Sequence, residues 1–393
     1  MPGRDKYWVD PDFLNTDHGD LGCMYCHKGN NVFDVKKAHT GLVKDPSDDK
    51  AGVCKECHEE ITDTYYKSIH YTIAGIRNVM QVYISPQPLE KSPLMIAFKI
   101  DCNSCHASCG SCHISRPEAT KGGLMGAHQF FKEPPMGKSC FGCHGARTSG
   151  EYTGKIGHYS VGDEEVPDIG DTADVHFYKY RMICSDCHEG EMMHQEMEKP
   201  DKARFYNLPS VQCEDCHKKA AKGKDHVPMH KAHKPDTLSC AVCHSSGGYH
   251  NCFECHVLVA QSGKLPVPLA ESKIMFKIGL NPDRGPNNKF KYVLLRHSPV
   301  RPLSFSILGV DLSPNFDKLH TWAPITPHNI QRKTRQNAEC NACHGHPEFF
   351  LTVEDAKLGS KADELSVPRV PEPVKEEKGE TNRVTMNSFG TKK

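Results

Sequence analysis

All twenty cysteines of this 393-residue chain fall in Cys-x-x-Cys-His pentads, ten in number, with none left over. The first five supply Cys23, Cys26 and His27; Cys54, Cys57 and His58; Cys102, Cys105 and His106; Cys109, Cys112 and His113; and Cys140, Cys143 and His144. The last five supply Cys184, Cys187 and His188; Cys213, Cys216 and His217; Cys240, Cys243 and His244; Cys252, Cys255 and His256; and Cys340, Cys343 and His344. Two thiols at this spacing fit one tight turn, so both sulfurs reach the two vinyl groups of one porphyrin. The histidine that follows is then set under the iron as proximal ligand. Paired Cys-x-x-Cys knuckles holding zinc, or redox dithiols, are the alternatives, and neither requires a histidine after the second cysteine. Histidine is 25 of 393 residues, about one in sixteen, so ten of ten by chance is on the order of one in a trillion. The pentads therefore predict ten covalent haems c.

Ten proximal histidines leave fifteen others, enough to close the far side of every iron and make bis-histidine coordination the expected state. His39, His70, His128 and His328 lie near a pentad, with room for the chain to leave one haem and cap it or a neighbour. His176 and His194 flank the 184–188 pentad, and His250 sits between the closely spaced pentads 240–244 and 252–256. His226, His230 and His233 fall at i, i+4 and i+7, which a helix would place on one face; His230 and His233 are taken as ligands and His226 is not. His18 and His297 are candidates to reach a haem of another subunit, whereas His346 follows His344 too closely to cap it. Thirteen methionines offer a second ligand type that would raise potentials, and Met192 and Met193 beside His194 compete for one position.

The elements that must position these groups are slight. Each haem has about 39 residues of chain, too few for a separate protein core, so the porphyrins themselves are expected to organise the interior. Hydrophobic residues are 37% of the chain, with two tryptophans and 58 glycines and prolines, which fits a body of loops and short helices packed on cofactor. Segments 79–85 and 94–100 are expected as two strands of a hairpin across a Pro-rich turn, leading into the 102–106 and 109–113 pentads. First cysteines seven residues apart are at most about 24 Å from each other along the chain, so these two sites must be neighbours. Segments 274–279 and 290–295 flank NPDRGPNN and read as a second hairpin; its place after a pentad pair, not before one, speaks against a simple duplication.

Three regions result: a haem-packed body at 1–256 with nine pentads, a β-containing lobe at 257–360 with the tenth, and a Pro- and charge-rich tail at 361–393 expected to be disordered or to wrap a partner. The lobe follows from the 83 residues without a pentad between His256 and Cys340. Formal charge is balanced, 49 basic against 49 acidic, but ionised propionates would bring the holoprotein to about −10 oxidised and roughly −20 reduced. Lysines are interleaved with acids in no basic stripe, which argues against nucleic-acid binding. No apolar run reaches the roughly 18 residues that span a bilayer; 94–98 and 305–310 have the length of core strands. Haem attachment of this kind takes place outside the cytoplasm, so a periplasmic or extracellular location is expected. The opening MPGRDKYWVDPDF, lacking a signal core, is read as that of a mature form.

At this density of pentads, the chain to about residue 350 resembles the multihaem c-type cytochromes of bacteria and archaea that respire minerals or other extracellular acceptors. The resemblance implies low-potential bis-histidine haems in stacked and perpendicular pairs with little regular secondary structure. It also implies redox proteins as donors and acceptors, and in some members identical subunits in a filament or an outer-membrane conduit. Electron transfer without a substrate at iron is the expected function. The alternative from the same superfamily is an oxidoreductase of a nitrogen or sulfur oxyanion with one open-faced haem. The lysine-ligated version of that site is absent, since every pentad ends in histidine.

Overall fold

The computed structural model describes residues 9–48, 52–100, 105–154, 160–161, 164–165, 173–199, 201, 211–245, 276–285, 288–298 and 300–375. Cys102, His250, Cys252, Cys255 and His256 lie outside the described residues.

The described chain is built from single helical turns linked by loops, and the pentads are themselves such turns. Cys23–His27, Cys109–His113, Cys140–His144 and Cys240–His244 are one-turn helices. In the 54–58, 184–188, 213–217 and 340–344 pentads the histidine N–H donates to the first cysteine's carbonyl at 2.8–3.0 Å. That i to i+4 closure is the geometric reason for the spacing: it gathers both sulfurs and the imidazole on one side of the turn.

Regular packing occurs where the pentads are sparse. Residues 79–85 and 94–100 are not a β-hairpin; they belong to helix α1 (Ala74–Ile84) and helix α2 (Leu94–Ile100). The density of Val, Tyr and Ile favours a strand locally, but burial selects one helical face. Met80, Tyr83 and Ile84 of α1 and Leu94, Ala97 and Phe98 of α2 go inward, while Ile76, Val79 and Ile96 stay exposed and blur the period. Ser92 accepts from the Leu94 N–H, and with Pro93 behind it forms the helix start.

The second hairpin is present. Strands β1 (Lys277–Leu280) and β2 (Tyr292–His297) are antiparallel with Ile278 opposite Leu294, and β3 (Trp322–Pro324) adds to β2 with His297 opposite Trp322. Both faces of this sheet are covered. Ile278 and Leu294 pack with Ala241 and Val242 of the Cys240–His244 turn, while Val293, Leu295, Trp322 and Leu351 form the other side. Gly279 has to be glycine, because a Cβ there would lie 2.2 Å from Leu295 Cδ1 and 2.9 Å from the Ser366 carbonyl. The 305–310 run, expected as a strand, contains the 3-10 turn Ser306–Leu308.

Part of the 257–360 segment shares its core with the 73–98 region. Val310, Leu312 and Phe316 share one cluster with Ile73, Met80, Tyr83, Leu89, Leu94 and Phe98, and Asn315 Nδ2 donates to the carbonyls of Tyr83 and Ser85 at 2.9 and 2.7 Å. Leu312 is fully buried in that joint, so Leu312→Ala is expected to cost about 2–5 kcal/mol. Urea unfolding should still show one transition; a separate early transition of the 73–98 region would contradict a shared core.

The tail also differs from expectation over its first fifteen residues. Lys361–Ser366 is a 3-10 helix, and the strap that follows holds the last pentad through Gly345 N–H to the Pro371 carbonyl (2.8 Å) and Val374 N–H to Asn341 (2.7 Å). Prolines and charges lower its tendency to fold alone, but paired backbone groups fix it here. Residues 376–393 lie outside the described residues.

Candidate functional site

Among the described residues, eight of the nine pentad histidines face a second imidazole. The ring centres are 6.1 Å apart for His58 and His18, 5.7 Å for His27 and His128, 6.4 Å for His144 and His70, and 6.0 Å for His113 and His194. They are 6.0 Å for His217 and His176, 6.4 Å for His188 and His328, 6.1 Å for His244 and His230, and 6.2 Å for His344 and His233. Metal–imidazole bonds run about 2 Å and a ring centre lies about 1 Å behind its bonding nitrogen, so two imidazoles across one metal atom have centres about 6 Å apart. All eight pairs have that spacing.

The second imidazole nitrogen is fixed as well. His27 Nδ1 lies 2.9 Å from the Val43 carbonyl, His106 Nδ1 2.7 Å from Tyr71, His113 Nδ1 2.6 Å from Phe131, His244 Nδ1 2.9 Å from Gln331 and His344 Nδ1 3.0 Å from Glu372. A carbonyl only accepts, so Nδ1 carries the proton and the Nε2 lone pair is left for a metal. Burial, together with the opposed ring, holds His18, His128, His194 and His233 below the usual histidine range and pushes His70 down to about 4. Neutral imidazoles are the form that binds metal.

The partners are remote in sequence and owe their places to the fold. His70 rides on the short helix Ile69–Thr72, whose Ser68 cap accepts from Tyr71 N–H; the next carbonyl, Tyr71, buttresses His106, so one turn serves two sites. His128 adopts φ +60°, a left-handed conformation that costs a non-glycine residue about 1 kcal/mol or more and that concentrates at functional sites. Phe130 stacks on His18 at 4.2 Å and on Phe13 at 5.7 Å, and Phe13 meets His128 edge-on, which ties the 23–27 and 54–58 sites together. Loop 328–331 serves three sites: His328 faces His188, Ile330 N–H donates to Asp174 beside His176, and the Gln331 carbonyl holds His244.

Several sequence expectations are corrected by this geometry. His18 faces His58 of its own chain and is not directed to another subunit. His297 is fully buried on β2 against Trp322, with ring centres 5.1 Å apart, which removes it from a role at a neighbouring subunit. His176 and His194, which flank the 184–188 pentad in sequence, face His217 and His113. The proposed histidine stripe breaks because its helix spans only Met229–Ala232, which sends His230 to His244 and His233 to His344. Histidine, not Met192 or Met193, faces His113. Among the described residues neither His39 nor His106 faces a second imidazole at this spacing.

The thiols show how the sites adjoin. Cys54 lies beside Cys109, Cys105 beside Cys143, Cys140 beside Cys184, and Cys213 beside Cys240. Cys26 lies within electrostatic range of Cys54, Cys112 of Cys140, Cys187 of Cys216 and Cys243 of Cys343. The sites therefore run 23–27, 54–58, 109–113, 140–144, 184–188, 213–217, 240–244, 340–344, with 102–106 attached at 140–144. No three His, Cys, Asp or Glu side chains among the described residues converge as a zinc polyhedron would require. No described helix is long and apolar enough to cross a membrane.

No protein-family model, curated protein or solved structure matches the chain.

Proposed function

We propose that this protein is an electron carrier of the multihaem c-type cytochrome kind, holding ten haems c on its pentad cysteines. The observation that carries the proposal is the set of eight facing imidazole pairs, each combining a pentad histidine with a distant one. Haem, when bound, supplies a one-electron iron couple. The chain's own residues do the rest. Paired cysteines would hold the macrocycle edge, Nδ1 contacts to carbonyls hold the tautomer of His27, His106, His113, His244 and His344, and the eight facing pairs would leave no open position for ligand exchange at their sites. Thiol-to-thiol adjacency from 23–27 to 340–344 supports a continuous sequence of short transfer steps.

Covalent attachment implies a periplasmic or extracellular protein, with redox proteins as donors and acceptors. Assembly of identical subunits into a filament, or docking at an outer-membrane conduit, would extend the sequence of sites; imaging of the purified protein separates these from a monomeric shuttle. The deciding experiment is intact mass with paramagnetic resonance of the oxidised protein. Roughly 6 kDa of added prosthetic group and low-spin ferric signals are expected. Zinc bound to an unmodified chain refutes the proposal, and a high-spin fraction near one site in ten that responds to nitrite or hydroxylamine moves it to the oxidoreductase alternative.

A further inference from the structure

Two of the paired imidazoles, His176 and His230, place Nδ1 against a carboxylate, where five pentad histidines place it against a backbone carbonyl. His176 meets the carboxylate of Asp174 at 2.8 Å, and His230 that of Asp225 at 2.6 Å. Asp174 is built in: its side chain is 3% exposed, Oδ1 also accepts the His176 N–H, and Oδ2 accepts the Ile330 N–H, both at 2.9 Å. Asp225 accepts the Val227 N–H at 3.3 Å. The sites these residues serve are consecutive, since Cys213 lies beside Cys240.

A carboxylate acceptor draws the imidazole proton toward itself and raises the basicity of the opposite nitrogen, and its negative charge favours the higher oxidation state of a metal bound there. We propose that Asp174 and Asp225 lower the reduction potentials of the His176/His217 and His230/His244 sites below those of sites with no carboxylate on either imidazole, creating a two-site step inside the electron path. The inference rests on the haem assignment above. Each iron takes one electron in passing from ferric to ferrous; no bond is made or broken and no proton moves. Both aspartates are positioning residues, acting through the imidazoles.

The test is a mediated spectroelectrochemical titration of the full holoprotein with dithionite as reductant, on the parent chain and on Asp225→Asn. The amide oxygen still accepts from His230, so position is kept while charge is lost. About one tenth of the haem absorbance change should move to higher potential, by about tenfold in the oxidised-to-reduced ratio, or about 59 mV for one electron. The low-spin spectrum and the count of ten haems should persist. Asp174→Asn should move a different tenth in the same direction. With ten haems in the parent, a superimposable or downward-shifted Asp225→Asn curve overturns this proposal alone, whereas a parent without haem overturns the haem assignment and the proposal with it.

Discussion

Replacing His70 with alanine is expected to convert one low-spin site in ten to high spin and to let that site bind carbon monoxide. His70 faces His144 across 6.4 Å, is surrounded by His188 and His194, and is held neutral by burial. Removing the imidazole would leave that iron one ligand short, and a five-coordinate iron takes an external ligand readily. His70→Met separates coordination from packing: a thioether should restore low spin and raise that site's potential. Resonance spectra of both variants make the check. An alanine variant that remains wholly low-spin would show that His70 is not the partner of His144.

The second large effect concerns stability. Asp363 is fully buried and accepts from Thr321 N at 3.2 Å, Thr321 Oγ1 at 2.5 Å, Trp322 N at 2.9 Å and Ser360 N at 2.9 Å, with His320 Nδ1 at 3.5 Å. Alanine there strands several buried donors beside the fully buried Trp322, and a loss of about 3–5 kcal/mol is expected in denaturant unfolding of the holoprotein. Burial works to raise this carboxyl, but the hydrogen bonds of His320, Thr321, Trp322 and Ser360 prevail and hold it below the ordinary carboxylate value. Because the folded value is depressed, the contribution is complete above the unfolded value of about 4 and is lost as pH falls through the folded one. Melting temperatures of the parent and of Asp363→Asn should therefore converge on acidification; a gap that widens below pH 4 would contradict the assignment.

What the sequence made legible was the local chemistry. Each fully described pentad is one closed turn, so spacing alone identifies its thiols and its histidine. The opposing histidines were recognisable as a set but not as pairs. His328 and His188, or His18 and His58, meet through loops whose course depends on the whole fold, and nearness along the chain does not pair His176 with His217 or His194 with His113. The 277–297 hairpin was readable because its turn residues are unambiguous, whereas α1 and α2 were mistaken for strands because Ile76, Val79 and Ile96 place apolar groups on the outer face. The Ser92-Pro93 start and the capping box from Ser360 to Asp363 were local signals that would have identified α2 and the ordered strap. Asp174 and Asp225 had no such signal, since a carboxylate near a histidine in sequence is ordinary until geometry points one at the other.

The strap over the last pentad bears on the order in which the molecule is completed. The carbonyl that orients His344 belongs to Glu372, 28 residues downstream, and Pro371 beside it receives the Gly345 N–H. A polypeptide emerging from its amino terminus presents Cys340 and Cys343 well before that carbonyl arrives. If haem is attached there, the orienting contact of the terminal site would form only once the chain through residue 372 is delivered.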